Sequence, residues 1–174
     1  MKYPIGIQSF EKIIENDYVY VDKTDLIYSM VKGGTIYFLS RPRRFGKSLL
    51  VSTLKNYFLG RKELFKGLAI DVLEKDWLTY PVFHIDFNGS DFQEKGTLEK
   101  VIEEYISTWE VAYGILPNPD RDRGMRFIQV LKEAHVRAGR RAVVLIDEYD
   151  KPMLDVLDTQ LETVVDGNKM LLEE

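Results

Sequence analysis

At 174 residues the chain is long enough for one domain to bury a real core, and 45% hydrophobic with 30% charged residues describes an ordinary folded, water-soluble protein. Lys and Arg number 24 against 28 Asp and Glu, so the formal charge of -4 offers a nucleic-acid backbone no basic field. The absence of cysteine excludes disulfides, thiolate metal sites and a thiol nucleophile. Residues 1–14 lack a signal peptide's apolar run and no stretch has the length of a membrane span, which leaves the cytoplasm as the expected location and no membrane as partner.

Taken in chain order, Phe10, Ile13, Ile14 and then Leu26, Ile27, Met30 predict two short helices flanking Tyr18-Val19-Tyr20-Val21. Asp22 and Thr24 are each suited to cap the second helix, expected over about residues 25–31. Gly33-Gly34 ends it. Thr35-Ile36-Tyr37-Phe38-Leu39 has no polar alternation and reads as a strand buried on both faces. After the loop Ser40 to Gly46, helical spacing at Leu49, Leu50, Leu54, Tyr57 and Phe58 predicts a helix stopped at Gly60.

A second strand is expected at Val82-Phe83-His84-Ile85-Asp86-Phe87, between Pro81 and Asn88-Gly89. Helical spacing returns at Leu98, Val101, Ile102, Tyr105, Ile106 and Trp109, and again at Phe127, Ile128, Leu131 and Ala134 after the turn-rich stretch from Pro117 to Gly124. Ala142-Val143-Val144-Leu145-Ile146 predicts the third strand, and Leu154, Leu157, Leu161, Val164, Val165, Met170 and Leu171 predict helix thereafter. This order indicates an α/β fold with a mainly parallel sheet and no internal repeat.

Two groups of residues carry chemistry. The loop after the first predicted strand ends Gly46-Lys47-Ser48 where a helix begins, so peptide N–H groups point at an anion. In a P-loop the glycine lets backbone approach phosphate, the lysine neutralises the outer phosphates and the hydroxyl binds Mg²⁺, roles that fit Gly46, Lys47 and Ser48. The full pattern asks for another glycine where this chain has Arg41, followed by Pro42, Arg43 and Arg44. Pro42 removes an N–H donor, and the three guanidinium groups are candidates to replace it by bidentate phosphate contact. Taken alone, Gly-Lys-Ser also describes a helix N-terminus with a solvated lysine.

Asp147-Glu148 follows the third predicted strand, at the carboxyl end where ligands of parallel sheets bind. This is a Walker B arrangement: Asp147 is expected to hold Mg²⁺ through its water shell, and Glu148 to polarise the water attacking the γ-phosphate. The bland reading is an acidic turn in solvent. The two half-motifs stand in the right order, each after a buried-looking strand, about a hundred residues apart, and together they point to a site for Mg-ATP. Tyr149, His84 and His135 read as structural, because neither histidine has a second ligand at metal spacing.

On these residues the chain resembles the N-terminal part of the bacterial AAA-ATPase-like proteins of the P-loop superfamily. The likeness runs through Gly6 to Phe10, Tyr18 to Thr24, Phe38 to Leu49, Tyr80 to Val82 and Leu145 to Pro152. It implies that Arg41 in place of glycine is a family trait, and it extends the expected nucleotide loop over Arg41, Arg43, Arg44, Phe45, Gly46, Lys47, Ser48 and Leu49. The catalytic pair it implies is Lys47 and Glu148, and the metal pair Ser48 and Asp147.

Against this resemblance the expected architecture is a three-layer P-loop NTPase-like fold, truncated before its later strands and lid. Residues 1–32 form a lead-in and 33–174 an incomplete nucleotide-binding core. Family members commonly continue into a domain resembling the PD-(D/E)XK nucleases. In the family's sheet a later strand lies between the two motif-bearing ones, so a gap open to self-association or to a partner chain is expected. The leading functional reading is an Mg-ATP-binding module whose hydrolysis belongs to a longer parent. The alternatives are an interaction module that uses no nucleotide, suggested by Arg41 and Pro42, and the ATPase part of a DNA-processing protein. Direct nucleic-acid contact by this chain is not expected, since its basic residues are dispersed apart from Arg41 to Arg44 and Arg137 to Arg141.

Overall fold

The computed structural model describes residues 2–40, 42 and 44–157. The chain divides into two compact units, Met1–Val82 and Phe83–Glu174, each built on its own apolar cluster.

The first unit is helical: α1 (Phe10–Glu15), α2 (Thr24–Gly33), α3 (Lys47–Phe58), a 3₁₀ turn (Lys62–Phe65) and α4 (Ala69–Leu73). Ser9 caps α1 by accepting the Lys12 N–H at 3.2 Å. The amphipathic stripes meet in a core where Phe10, Ile27, Tyr57, Leu64, Phe65 and Ile70 are buried, with the Phe10 and Phe65 rings 4.8 Å apart. Burying such rings supplies the main stabilisation, about 1.5–3 kcal/mol for each large side chain. After α3 the chain turns at Gly60 with φ +71°, and a Cβ there would stand 2.7 Å from the Thr79 hydroxyl, so the turn admits no side chain.

Asp22 and Thr24 do more than start a helix. The structure places Lys23 at the cap of α2, without a side-chain bond, and makes Thr24 the first helical residue, in place of the expected cap at Asp22 or Thr24. One oxygen of Asp22 accepts the N–H and hydroxyl of Thr24, while the other accepts the Ala69 N–H at 2.7 Å; the Thr24 hydroxyl in turn accepts the Ile70 N–H at 3.0 Å. Burial opposes the charge on Asp22, but those donors outweigh it and hold its carboxyl below the usual range. The pair therefore satisfies the amino ends of α2 and α4 together.

A second polar knot lies at Glu74, which is 5% exposed. Its carboxylate accepts the Tyr57 hydroxyl at 2.5 Å, the N–H groups of Lys75 and Asp76, and the Lys32 ammonium at 3.1 Å. Burial works against ionisation there, yet the donors prevail and draw the Glu74 carboxyl down to about 2. Desolvation and the facing carboxylate push the Tyr57 phenol well above its ordinary value.

The second unit is α/β: β1 (Val82–Asp86), α5 (Thr97–Ala112), α6 (Arg123–Ala138), β2 (Val143–Asp147) and α7 (Lys151–Leu157). β1 and β2 pair in parallel, which two intervening helices permit. Phe83 on β1 packs edge-on to Trp109 at 5.0 Å, against a cluster with Val130 and Ala134. Asp122 caps α6 through the Met125 N–H, and Gly139 closes it. Between α5 and α6 the 2%-exposed Arg126 forks onto the 2%-exposed Glu110 at 2.9 and 2.7 Å and reaches Glu103 at 2.7 Å. Such a pair costs desolvation, and its geometry makes breaking it far worse than lacking it.

α1, α2, α3, α5 and α6 match the expected helices within a few residues, the 3₁₀ turn and α4 were not expected, and the second and third predicted strands fall on β1 and β2. The first does not form. Among the described residues 35–39 join no ladder, and Ile36, Tyr37 and Phe38 are 92%, 53% and 72% exposed instead of buried on both faces. β-branched and aromatic residues favour a strand only where a neighbour supplies hydrogen bonds and side-chain packing, and here the Tyr37 hydroxyl turns back to donate to the Met30 carbonyl. The observed architecture is thus mixed α/β with a two-stranded parallel sheet; of the helix expected after Asp150, α7 is described and residues 158–174 lie outside the described residues.

Candidate functional site

The expected loop residues open α3 in the first unit. Gly46, at φ +75°, takes the left-handed turn and is the cap of α3, with no side chain to occupy the helix end. The first intrahelical bond is Leu50 N–H to the Gly46 carbonyl at 3.0 Å, and no acidic residue stands in the first turn. The N–H groups of Ser48 and Leu49 precede that bond, so the positive end of the peptide dipoles is offered to an anion. Lys47 and Ser48 are half-buried beside it, and Leu49 packs its side chain against the core. Phe45 is 64% exposed and Arg44 is exposed with φ +68°, a conformation strained for a residue with a Cβ. Arg41 and Arg43 lie outside the described residues.

The lead-in helices hold α3 in place. Phe10 N–H donates to the Ser52 hydroxyl at 2.9 Å, docking the start of α1 on the middle of α3. The hydroxyl of Thr53, one residue on, donates to the Leu49 carbonyl at 2.8 Å and also bonds Tyr20, whose phenol burial pushes up. Arg61 pairs with Glu11 and bonds Asn56. Residues in the 9–24 segment therefore hold α3 in place, a role not visible in their sequence.

Asp147 and Glu148 belong to the second unit. Asp147 ends β2 with 6% exposure, and its carboxylate accepts the Glu148 N–H at 3.0 Å. Glu148 is half-buried at φ +53°, so that among the described residues of the expected site it joins Arg44 in taking a positive φ without being glycine. The Lys151 N–H closes the turn on the Glu148 carbonyl at 3.0 Å. A buried carboxylate beside a strained acidic residue, at the carboxyl end of a parallel strand, suits a hydrated divalent cation and a polarised water.

His135 is exposed and its Nδ1 faces the Arg140 carbonyl at 2.8 Å, closing the end of α6, while His84 is half-buried on β1. Among the described residues no three His, Cys, Asp or Glu side chains gather as a metal-binding group. A single carboxylate that meets Mg²⁺ through water, together with a hydroxyl and the phosphates themselves, requires no such group.

A family model described as predicted AAA-ATPase matches residues 4–172, which take in both half-motifs. The chain belongs to that family. It is also 47% identical over 158 residues to an uncharacterized protein in the vnfD 5′ region of Azotobacter chroococcum mcd 1, a match covering 90% of this chain and 30% of that protein. This chain thus spans less than a third of that relative's length. No solved structure matches it. Among the described residues no helix is long and apolar enough to cross a membrane.

Proposed function

We propose that the chain is the Mg-ATP-binding part of a P-loop ATPase. In this reading the N-terminus of α3 with Lys47 grips the β- and γ-phosphates, Arg41, Arg43 and Arg44 add guanidinium contacts, and Ser48 and Asp147 hold Mg²⁺ directly and through water. Glu148 orients the attacking water. The observation that carries the reading is the left-handed Gly46 opening a twelve-residue helix with Lys47 and Ser48 in its first turn, in a chain of an ATPase family. The strained Glu148 after the buried Asp147 supports it.

Mg-ATP should raise the melting temperature by several degrees, and Lys47→Ala should abolish the rise. An unchanged melting curve at millimolar Mg-ATP would refute nucleotide binding. Hydrolysis is assigned to the longer parent protein, so this chain alone should turn ATP over slowly or not at all; turnover as fast as a longer chain's would overturn that assignment.

A second reading, an interaction module, is favoured by one observation. Ile36, Tyr37 and Phe38 in the first unit are exposed, and Val144 and Ile146 on β2 in the second are 37% and 48% exposed, so each unit carries exposed apolar surface. A further strand, from elsewhere in the parent protein or from another chain, would complete the sheet. In this reading the chain uses no nucleotide, so a melting curve unchanged at millimolar Mg-ATP would favour it, and a concentration-dependent mass in sedimentation would identify a second copy as the partner.

A further inference from the structure

The acidic turn after β2 is tied to the loop that follows β1 by one side chain that the half-motifs leave unused. Lys151, the first residue of α7, donates from Nζ to the Ser90 carbonyl at 2.9 Å and to the Asp155 carboxylate, and its ammonium stands 5.4 Å from the centre of the Phe92 ring. Asp155 also accepts the Phe92 N–H at 3.4 Å. Phe92 is fully buried, packed with Phe87 and Leu98. The backbone N–H of the same Lys151 closes the turn on Glu148.

These contacts make a clamp with two jaws. One jaw is the loop of residues 88–96, anchored in the core by Phe92. The other is the turn of residues 148–151, where Glu148 is kept at a positive φ that an L-residue leaves readily once its neighbours relax. A lysine whose donors go to a carbonyl, a carboxylate and a ring face is occupied in holding backbone, and is poorly placed to bind phosphate. With Lys151 shortened to an apolar stem the turn loses its connection to the buried ring, and Glu148 gains the freedom to leave its strained conformation.

We propose that Lys151 is a positioning residue, locking the carboxylates of Asp147 and Glu148 to the 88–96 loop so that the metal-binding turn is preorganised before nucleotide arrives. The proposal rests on the Mg-ATP reading of the site and extends it to a residue outside both half-motifs. Supporting groups of this kind around a metal site commonly change affinity by about 10–100-fold when lost.

The test compares Lys151→Met, Lys151→Arg and Asp155→Asn with the unaltered 174-residue chain by amide hydrogen exchange and by ATP binding with and without Mg²⁺. Lys151→Met should speed exchange in residues 88–96 and 147–151 together, by roughly tenfold for the loss of charge-assisted bonds, with α5 and α6 unchanged. It should also cut the Mg²⁺-dependent gain in ATP affinity about tenfold while Mg²⁺-free affinity stays the same. Lys151→Arg should restore most of both, and Asp155→Asn should loosen the loop and turn less. Faster exchange in the loop alone, with the Mg²⁺-dependent gain intact, would overturn the proposal, as would loss of protection throughout α5 and α6. Should the unaltered chain bind no ATP at all, the nucleotide reading and the positioning role fall together, while joint loosening of loop and turn would still show the clamp.

Discussion

Residues 35–39 and the strand Val143–Asp147 are two five-residue runs of similar apolar, β-branched character, yet among the described residues the first joins no ladder and Phe38 is 72% exposed, while the second pairs with β1 and buries Asp147 at its end. The contrast shows that composition states what a segment is suited to, whereas a hydrogen-bonding neighbour decides whether it becomes a strand. It also separates the two halves of the candidate site. The acidic half is carried on a paired strand, and the phosphate half on a helix whose preceding segment has no ladder.

The largest test of that contrast is a pair of truncations followed by urea denaturation. Phe83→Ala on β1 should cost the second unit about 3–5 kcal/mol, since its ring is 1% exposed among Trp109, Tyr113 and Phe127. Phe38→Ala should stay within about 0.5 kcal/mol. A multi-kcal loss at Phe38 would show that the 35–39 run is covered in solution.

Next in size is the ion-pair knot of the second unit. Arg126→Met should destabilise by about 3 kcal/mol or more, because it strands Glu110 without a partner. Adding Glu110→Leu should recover much of the loss; no recovery would assign the effect to packing alone.

The first unit has its own signature in acid. Glu74 titrates at about 2 in the folded chain against an ordinary 4.5, so the unfolded state binds its proton first as pH falls. The stabilisation is complete above pH 4.5 and drains away between there and about 2, by at most about 3 kcal/mol. Tyr57→Phe removes the hydroxyl donor to Glu74 and should raise that carboxyl, narrowing the window and shrinking the loss. An acid limb unchanged by Tyr57→Phe in a pH series of melts would contradict the assignment.

The smallest effect sharpens the contrast at the acidic turn. Glu148→Gly should stabilise the second unit by about 1 kcal/mol through relief of its positive φ, while weakening what the turn does for Mg-ATP. Lower stability in Glu148→Gly would show that the side chain, not the strain, dominates there.

Much of this was legible because periodicity and turn residues report local structure directly. The apolar spacing of α3, α5 and α6 and the stop at Gly60 appear in the sequence, whereas the cap at Asp122 emerged only with the structure. The turn into α3 was legible at Gly46, whose lack of a side chain matches the left-handed conformation it takes. What escaped is long-range. Nothing around Asp22 and Thr24 indicates that they bind the N–H groups of Ala69 and Ile70, forty-six or more positions away. Arg126 sits in a helix of many charges, and only the facing Glu110 distinguishes it from a solvated one. The 35–39 run shows the same limit in reverse, since a sequence does not display whether a pairing strand stands beside it.

In the proposed Mg-ATP reading, Lys47 and Asp147 serve one metal–nucleotide complex. Mn²⁺ in place of Mg²⁺, followed by electron paramagnetic resonance, tests it most directly in a chain free of cysteine ligands. The account predicts one tightly bound Mn²⁺ per chain that appears only with ATP and is lost in both Lys47→Ala and Asp147→Asn. A bound Mn²⁺–ATP signal undiminished by Asp147→Asn, yet abolished by Lys47→Ala, would contradict it.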